Sequence, residues 1–200
     1  DVLKNQIGRD LTLLVNSKPS KDGAREVKFR AFTDGALDGV RYANRIKARK
    51  KMVETMSGGK LGYIHISGMG GENLDQFNRE AWELTASGKK GIVIDVRENG
   101  GGNISDRLID MLERIPHSYY QGRDEEIETA PGESWALPTV VLHAESSYSN
   151  AEMFPYAMKQ MRLATLIGMP TPGYVIWTGG LDLVDGTPAR MPGSGVYRLD

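Results

Sequence analysis

Gly91-Ile92-Val93-Ile94-Asp95-Val96-Arg97-Glu98-Asn99-Gly100-Gly101-Gly102-Asn103 is the stretch from which the fold is read. Its first six residues are almost wholly apolar, as expected of a strand buried on both faces of a sheet. Three glycines break the pattern. An amphipathic helix follows, marked by Ile104, Leu108, Met111, Leu112 and Ile115. Buried strand, glycine turn and helix in that order form half of a βαβ unit.

The same alternation extends outward on both sides. Gly62-Tyr63-Ile64-His65-Ile66 reads as a strand, and Leu74, Phe77, Ala81 and Leu84 recur at helical spacing. Downstream, Thr139-Val140-Val141-Leu142-His143-Ala144 is a strand, Ala151 to Leu163 a helix, and Ala164-Thr165-Leu166-Ile167-Gly168 a strand again. This β-α-β-α-β-α-β order predicts an α/β fold with a mainly parallel sheet, right-handed crossovers and helices packed on it. The Gly- and Pro-rich stretch from Pro170 to Gly195 predicts loops and short antiparallel strands, and Val196-Tyr197-Arg198-Leu199 is strand-like.

Upstream the pattern changes. Asp10 to Asn16 and Arg25 to Phe32 alternate around a turn at Pro19-Ser20-Lys21-Asp22-Gly23, which predicts a hairpin. Two strands alone are not a stable domain, so the rest of this unit is expected elsewhere in the polypeptide or leaning on the next unit. Residues 34–60 read as a polar, helical connector ended by Ser57-Gly58-Gly59. Six of the eleven residues from Arg41 to Lys51 are Lys or Arg, which fits a solvated linker helix or a patch for an anionic ligand. The chain begins at Asp1 without methionine, in what reads as a helix end (Val2 to Gly8), and stops at Asp200. Both ends read as cut, so a fragment of a longer polypeptide is expected.

Composition bounds the function class. Two hundred residues, 40% hydrophobic and 26% charged, is ordinary for a soluble globular protein of one or two domains. A net charge of −1 gives no reason to expect nucleic acid or an anionic membrane as partner. The absence of cysteine excludes disulfides, thiolate metal sites and a cysteine nucleophile. No apolar run approaches the ~20 residues that span a bilayer, and no signal peptide is visible.

In α/β folds, functional groups gather beyond the carboxyl ends of the parallel strands. Two such places stand out. In the first, the glycines at 100–102 let the backbone approach a ligand, with N–H groups free to face a carbonyl oxygen or an anion. A plain strand-to-helix turn is the other reading. The spacing is neither a dinucleotide fingerprint nor a P-loop. The second is Ala144-Glu145-Ser146-Ser147-Tyr148-Ser149-Asn150-Ala151-Glu152-Met153-Phe154, a strand, a tight polar turn and a helix start. A serine at such a turn is lifted out of the sheet beside the next residue's N–H, as acyl transfer requires. The alternative is an N-cap at Ser147 or Ser149, with Glu152 completing a capping box to Ser149. Together the loops would offer N–H groups of Gly101 and Asn150 to a carbonyl that Ser149 attacks.

The base is harder to find. His65 lies within a strand, His117 follows Pro116 in a loop, and His143 sits six residues before Ser149 on the strand that feeds the turn. At about 3.3 Å per residue, His143 is well over ~10 Å from the hydroxyl unless the turn folds back. No His and carboxylate spacing suggests a metal.

Taken together, Gly62–Ile66, Asp95–Gly102, Ser149–Phe154 and Leu166–Gly168 occur in the order and spacing of the tricorn core proteases, relatives of the C-terminal processing peptidases. Over roughly Leu3 to Asp200 the chain resembles that family. The resemblance implies a crotonase-like αβ catalytic core over 61–200, incomplete, with a basic helical linker at 34–60. It also implies the C-terminal part of a PDZ-like domain at 1–33, which contains Lys18-Pro19-Ser20-Lys21-Asp22-Gly23-Ala24-Arg25. The family's nucleophile falls on Ser149, and its oxyanion donors on the N–H groups of Gly101, with Gly100 as register alternative, and Asn150. The processing branch carries its dyad lysine in a Gly-Lys-Gly that here reads Gly173-Tyr174-Val175, so no dyad is implied. The tricorn branch takes its histidine from before the PDZ domain and its glutamate from shortly past residue 200, so both are expected outside residues 1–200. His65 does not match that histidine.

The implied activity is endoproteolysis of peptides or unfolded chains through an acyl-enzyme, without cofactor or metal, in a homo-oligomer. The isolated 200 residues are expected to be inactive. The family implies a cytoplasmic location, with export to the periplasm as the alternative. Two rival readings remain: a crotonase-like acyl-CoA enzyme, and a non-catalytic peptide-binding scaffold.

Overall fold

The computed structural model describes residues 3–199; Asp1, Val2 and Asp200 lie outside them. Where a helix end was expected, residues 3–8 form turns. The chain divides into two units, Asp1–Arg49 and Lys50–Asp200.

In the first unit β1 (Asp10–Val15) pairs antiparallel with β2 (Arg25–Arg30), Asp10 standing opposite Arg30. The predicted hairpin is present, with β2 stopping two residues before Phe32. Its turn is closed by the Asn16 amide, which donates to the carbonyls of Ser20 and Asp22 at 2.7 and 2.9 Å. The bidentate Arg30–Asp10 pair at 2.8 and 2.9 Å is solvent-exposed and adds little stability. Helix α1 (Asp34–Met56) then crosses the division between the units and buries no residue along its length.

The second unit continues with β3 (Leu61–His65), α2 (Gly71–Ala86), β4 (Gly91–Asp95) and α3 (Ser105–Leu112). A short hairpin follows, β5 (Ser118–Tyr120) and β6 (Glu128–Ala130), then β7 (Thr139–His143), α4 (Asn150–Gln160) and β8 (Thr165–Gly168). An antiparallel pair, β9 (Ile176–Asp182) and β10 (Pro188–Gly195), closes the series. Strands β3, β4, β7 and β8 form one sheet in that order, every pair parallel. β4 is interior to this sheet and nearly buried throughout, which its apolar run anticipates.

Helices α2, α3 and α4 supply the core's cover. Phe77 and Ala81 from α2, Leu108 and Leu112 from α3, and Phe154 and Met158 from α4 are buried with Ile64, Ile94 and Val141 of the sheet. Helix α3 ends at Leu112, and Ile115 is exposed rather than on the core face. Pro116 disfavours helical backbone at the residue before it, which fits the early end. Two further differences concern short pairings. The β5–β6 hairpin has no legible pattern, since strands of three residues, exposed throughout in β5 and buried only at Ala130 in β6, are too short to carry an alternation. Val196–Leu199 forms no strand; β10 takes the preceding eight residues instead, with a bulge between Pro192 and Ser194.

Because the four sheet strands are parallel, their carboxyl ends share one edge. The segments that leave them at 66–70, 96–103, 144–149 and 169–175 gather there.

Candidate active site

The turn between β7 and α4 places Ser149 at φ 54°, ψ −117°. A non-glycine residue at positive φ with this ψ is strained and persists only where neighbours over-determine it. They do so here. The Ser149 N–H donates to Glu152 Oε2 at 2.7 Å, and the Ser149 carbonyl accepts from the N–H groups of Glu152 and Met153 at 2.8 and 3.0 Å. Ser149 is therefore the N-cap of α4, and Glu152 reaches back to it as the capping reading anticipated. The Ser149 hydroxyl, however, makes no capping hydrogen bond. One residue starts the helix and still presents a hydroxyl that makes no hydrogen bond among the described residues.

The glycine loop lies directly against this turn. A Cβ on Gly101 would stand 2.8 Å from both the Ser149 Cβ and the Tyr148 carbonyl oxygen, at φ +94°. A Cβ on Gly102 would collide with the Met69 carbonyl, to which the loop is bridged: Met69 N–H donates to Gly101 O at 3.0 Å and Asn103 N–H to Met69 O at 2.8 Å. Only glycine fits at either position.

Side-chain and backbone hydrogen bonds stitch the two loops together. Ser147 Oγ–H donates to the Val96 carbonyl at 2.9 Å, Tyr148 N–H to the Asn99 carbonyl at 2.9 Å, and Glu98 N–H to Ser146 Oγ at 3.2 Å. The Asn150 side chain ties α4 to α3, accepting from Ser105 N–H at 2.8 Å and donating to Ser105 Oγ at 2.9 Å. Sequence reasoning passed over Asn99 and the Asn150 side chain as structural groups, and offered Ser147 as an N-cap, a place that Ser149 takes. Their signal was a set of small polar residues at positions that the loop spacing puts out of water.

Of the expected oxyanion donors, the Gly101 N–H donates in this structure to Asn99 Oδ1 at 2.8 Å, and Asn99 is fully buried with its own amide donating to Ile66 O. The amides of Gly100, Gly102 and Asn150 carry no such bond among the described residues.

Beneath the loop, Asp95 closes β4. It is buried and accepts from Tyr63 Oη at 2.6 Å and from the Arg97 guanidinium at 2.6 and 2.9 Å. Burial by itself raises this carboxyl; the Arg97 guanidinium, the Tyr63 hydroxyl and the Arg97 N–H outweigh it and hold it below the ordinary carboxylate range.

The four strand ends and the β9–β10 pair enclose a cleft of about 1130 Å³. Gly68–Gly70 line it after β3, Gly100–Asn103 after β4, Tyr148 and Ser149 after β7, and Tyr174 after β8. The rings of Tyr148 and Tyr174 stack at 5.6 Å. No histidine lines the cleft: His65 is buried in β3, His117 is exposed against Ser118, and His143 ends β7 with Nδ1 unpaired. Among the described residues no three His, Asp or Glu side chains gather as a metal site, and no helix is long and apolar enough to cross a membrane.

A profile of Peptidase family S41 matches residues 60–200. Tricorn protease of Thermoplasma volcanium is 33% identical over 154 residues, which is 76% of this chain and 15% of that protein. Putative tricorn protease homolog 2 of Streptomyces coelicolor is likewise 33% identical over 154 residues, 13% of its length. The crystal structure of the tricorn protease superposes with a TM-score of 0.74 at 27% identity, covering 94% of this chain and 18% of that one. The chain thus spans less than a fifth of each of these relatives.

Proposed function

The chain belongs to peptidase family S41, and from that premise we propose that it carries the nucleophile and oxyanion donors of a serine endopeptidase of the tricorn and C-terminal processing type. The observation that supports this most is Ser149: a strained backbone, held by Glu152, with an unbonded hydroxyl in a cleft beside free amides. A merely structural turn gains nothing from that strain.

In the proposed reaction the Ser149 hydroxyl attacks a peptide carbonyl, and a general base takes its proton. The negative oxygen is received by the Asn150 N–H and by one glycine amide. With Gly101 N–H committed to Asn99, that second donor is Gly100 or Gly102 unless the Asn99 bond opens. Each such donor is worth about 10²–10³ in rate. The leaving amine takes the proton back, and water then releases the acyl group from Ser149. No histidine of residues 1–200 lines the cleft, and by the resemblance Tyr174 occupies the position of the processing branch's lysine. The base is therefore assigned to polypeptide outside these residues, and the isolated 200-residue chain is expected not to turn over.

Finer features of the reading are the crotonase-like description of the α/β core, the PDZ-like origin of the β1–β2 hairpin, and peptides or unfolded chains as substrates. Assembly as a homo-oligomer, and a cytoplasmic location with export as the alternative, belong to the same reading. An acyl-CoA enzyme on this scaffold has no use for a strained serine, and a passive peptide scaffold has no use for free amides beside it.

Labelling with a serine-directed fluorophosphonate tests the reading. The full-length polypeptide is expected to carry one adduct, mapped by mass to Ser149 and absent in Ser149→Ala. The 200-residue chain alone is expected to take up none. An unlabelled full-length protein would overturn the proposal.

A further inference from the structure

Part of the cleft lining comes from β9 and β10. Of the described residues that line the cleft, Arg190 alone bears a formal charge; the others are glycines, amides, hydroxyls and apolar or aromatic side chains such as Met69, Tyr174 and Trp177. Arg190 makes no ion pair with any described carboxylate. Its direct cross-strand neighbour is Gly180, which has no side chain to cover it.

The guanidinium is nevertheless held in place. Thr178 lies diagonally across the pair, and its Oγ1 accepts from Arg190 Nε at 3.2 Å and from Nη2 at 2.6 Å. Those bonds use two of the five N–H groups of arginine, on its Nε edge. The hydrogens of Nη1 and the second hydrogen of Nη2 are left, and they form the end-on edge that accepts a carboxylate bidentately.

We propose that Arg190 is a specificity-determining residue that receives a carboxylate of the bound peptide, from an acidic side chain or from a free C-terminus, and that Thr178 orients it for this. The proposal rests on the reading of the cleft as a peptide site. A cation with a fixed fork in an otherwise uncharged cleft discriminates by charge, and its contribution weakens as salt screens it.

The test uses three capped peptides of one length: one with a central glutamate, one with glutamine there, and the glutamine peptide with a free C-terminal carboxylate. Binding is measured to the full-length Ser149→Ala polypeptide, which cannot consume them, and turnover to the full-length wild-type sequence. Each is repeated with Arg190→Gln and Arg190→Lys. The preference for a carboxylate-bearing peptide over its neutral counterpart is expected to fall roughly tenfold in Arg190→Gln, as expected for a hydrogen bond to a charged group. It is expected to fall less in Arg190→Lys, which keeps the charge without the fork, and to shrink between about 0.05 and about 0.5 M salt. A preference confined to the glutamate peptide identifies a side-chain subsite, and one confined to the free terminus a C-terminal anchor. Equal preference in wild type and Arg190→Gln overturns the proposal while leaving the peptidase reading intact. Arg190-dependent binding without Ser149-dependent turnover sinks the catalytic reading and keeps this one. Peptides that bind nowhere sink both.

Discussion

At the scale of single residues, the chemistry depends on groups whose ordinary preferences are overridden. Ser149 accepts a left-handed φ that a glycine would take at lower cost, because Glu152 and the first turn of α4 hold it there. Its place at a tight turn between strand and helix was legible from the residues around it, and so was a glycine loop at the same sheet edge. The state of the Gly101 amide was not, since that depends on where the Asn99 side chain turns once Ile66 claims its other end. Asp95 gives a pH prediction at this scale. Its folded pKa lies below the unfolded value of about 3.9, so the stability it contributes is present above about pH 4 and is lost as pH falls through the lower, folded value. Asp95→Asn is expected to remove that part of the acid slope. Because it also strands Arg97, it is expected to cost about 3 kcal/mol at neutral pH, the low end for a broken buried pair since Arg97 keeps some access to water. Denaturant unfolding between about pH 2 and pH 7 reads both effects; parallel curves would refute the first and coincident curves both.

At the scale of elements, the long periodic segments were legible. β3, β4, β7 and β8 and the three helices between them follow from apolar spacing, because burial on a sheet enforces it. The β5–β6 hairpin and the limits of β10 were not, because three-residue strands and the largely exposed β10 carry too little apolar alternation to mark them. Helix α4 and the segment after β8 form one mechanical unit. The buried Glu152 carboxylate accepts from Ser149 N–H with one oxygen and from Gly173 N–H with the other, at 2.6 Å, so it secures the turn and the loop that carries Tyr174 together. Glu152→Gln keeps one acceptor and loses the other. It is expected to cost about 1–2 kcal/mol by chemical denaturation. It is also expected to slow fluorophosphonate labelling of the full-length protein beyond what the stability loss explains, since both walls of the site loosen. Labelling at the wild-type rate would reduce Glu152 to an ordinary cap.

At the scale of the molecule, the chain is two units joined through α1, a 23-residue helix with no buried residue and six basic residues between Arg41 and Lys51. A helix with only a half-buried stripe and no buried residue has less to protect it from opening than one packed into a core. Brief trypsin treatment of the 200-residue chain is expected to cut first between Arg41 and Lys51 and to leave a resistant piece running on from there. First cuts inside 61–168 would contradict this account of the core. By itself the sequence determined the α/β class, the order of the parallel strands with the helices between them, and the two loops that line the candidate site. These rest on local periodicity and on turn chemistry, which neighbouring residues dictate. Only the tertiary structure decided which amides stay free, that Glu152 bridges to Gly173, and that Arg190 from the last strand pair stands unpaired in the same cleft as Ser149. Those facts depend on residues tens of positions apart meeting at one edge of a parallel sheet, and no local pattern encodes such a meeting.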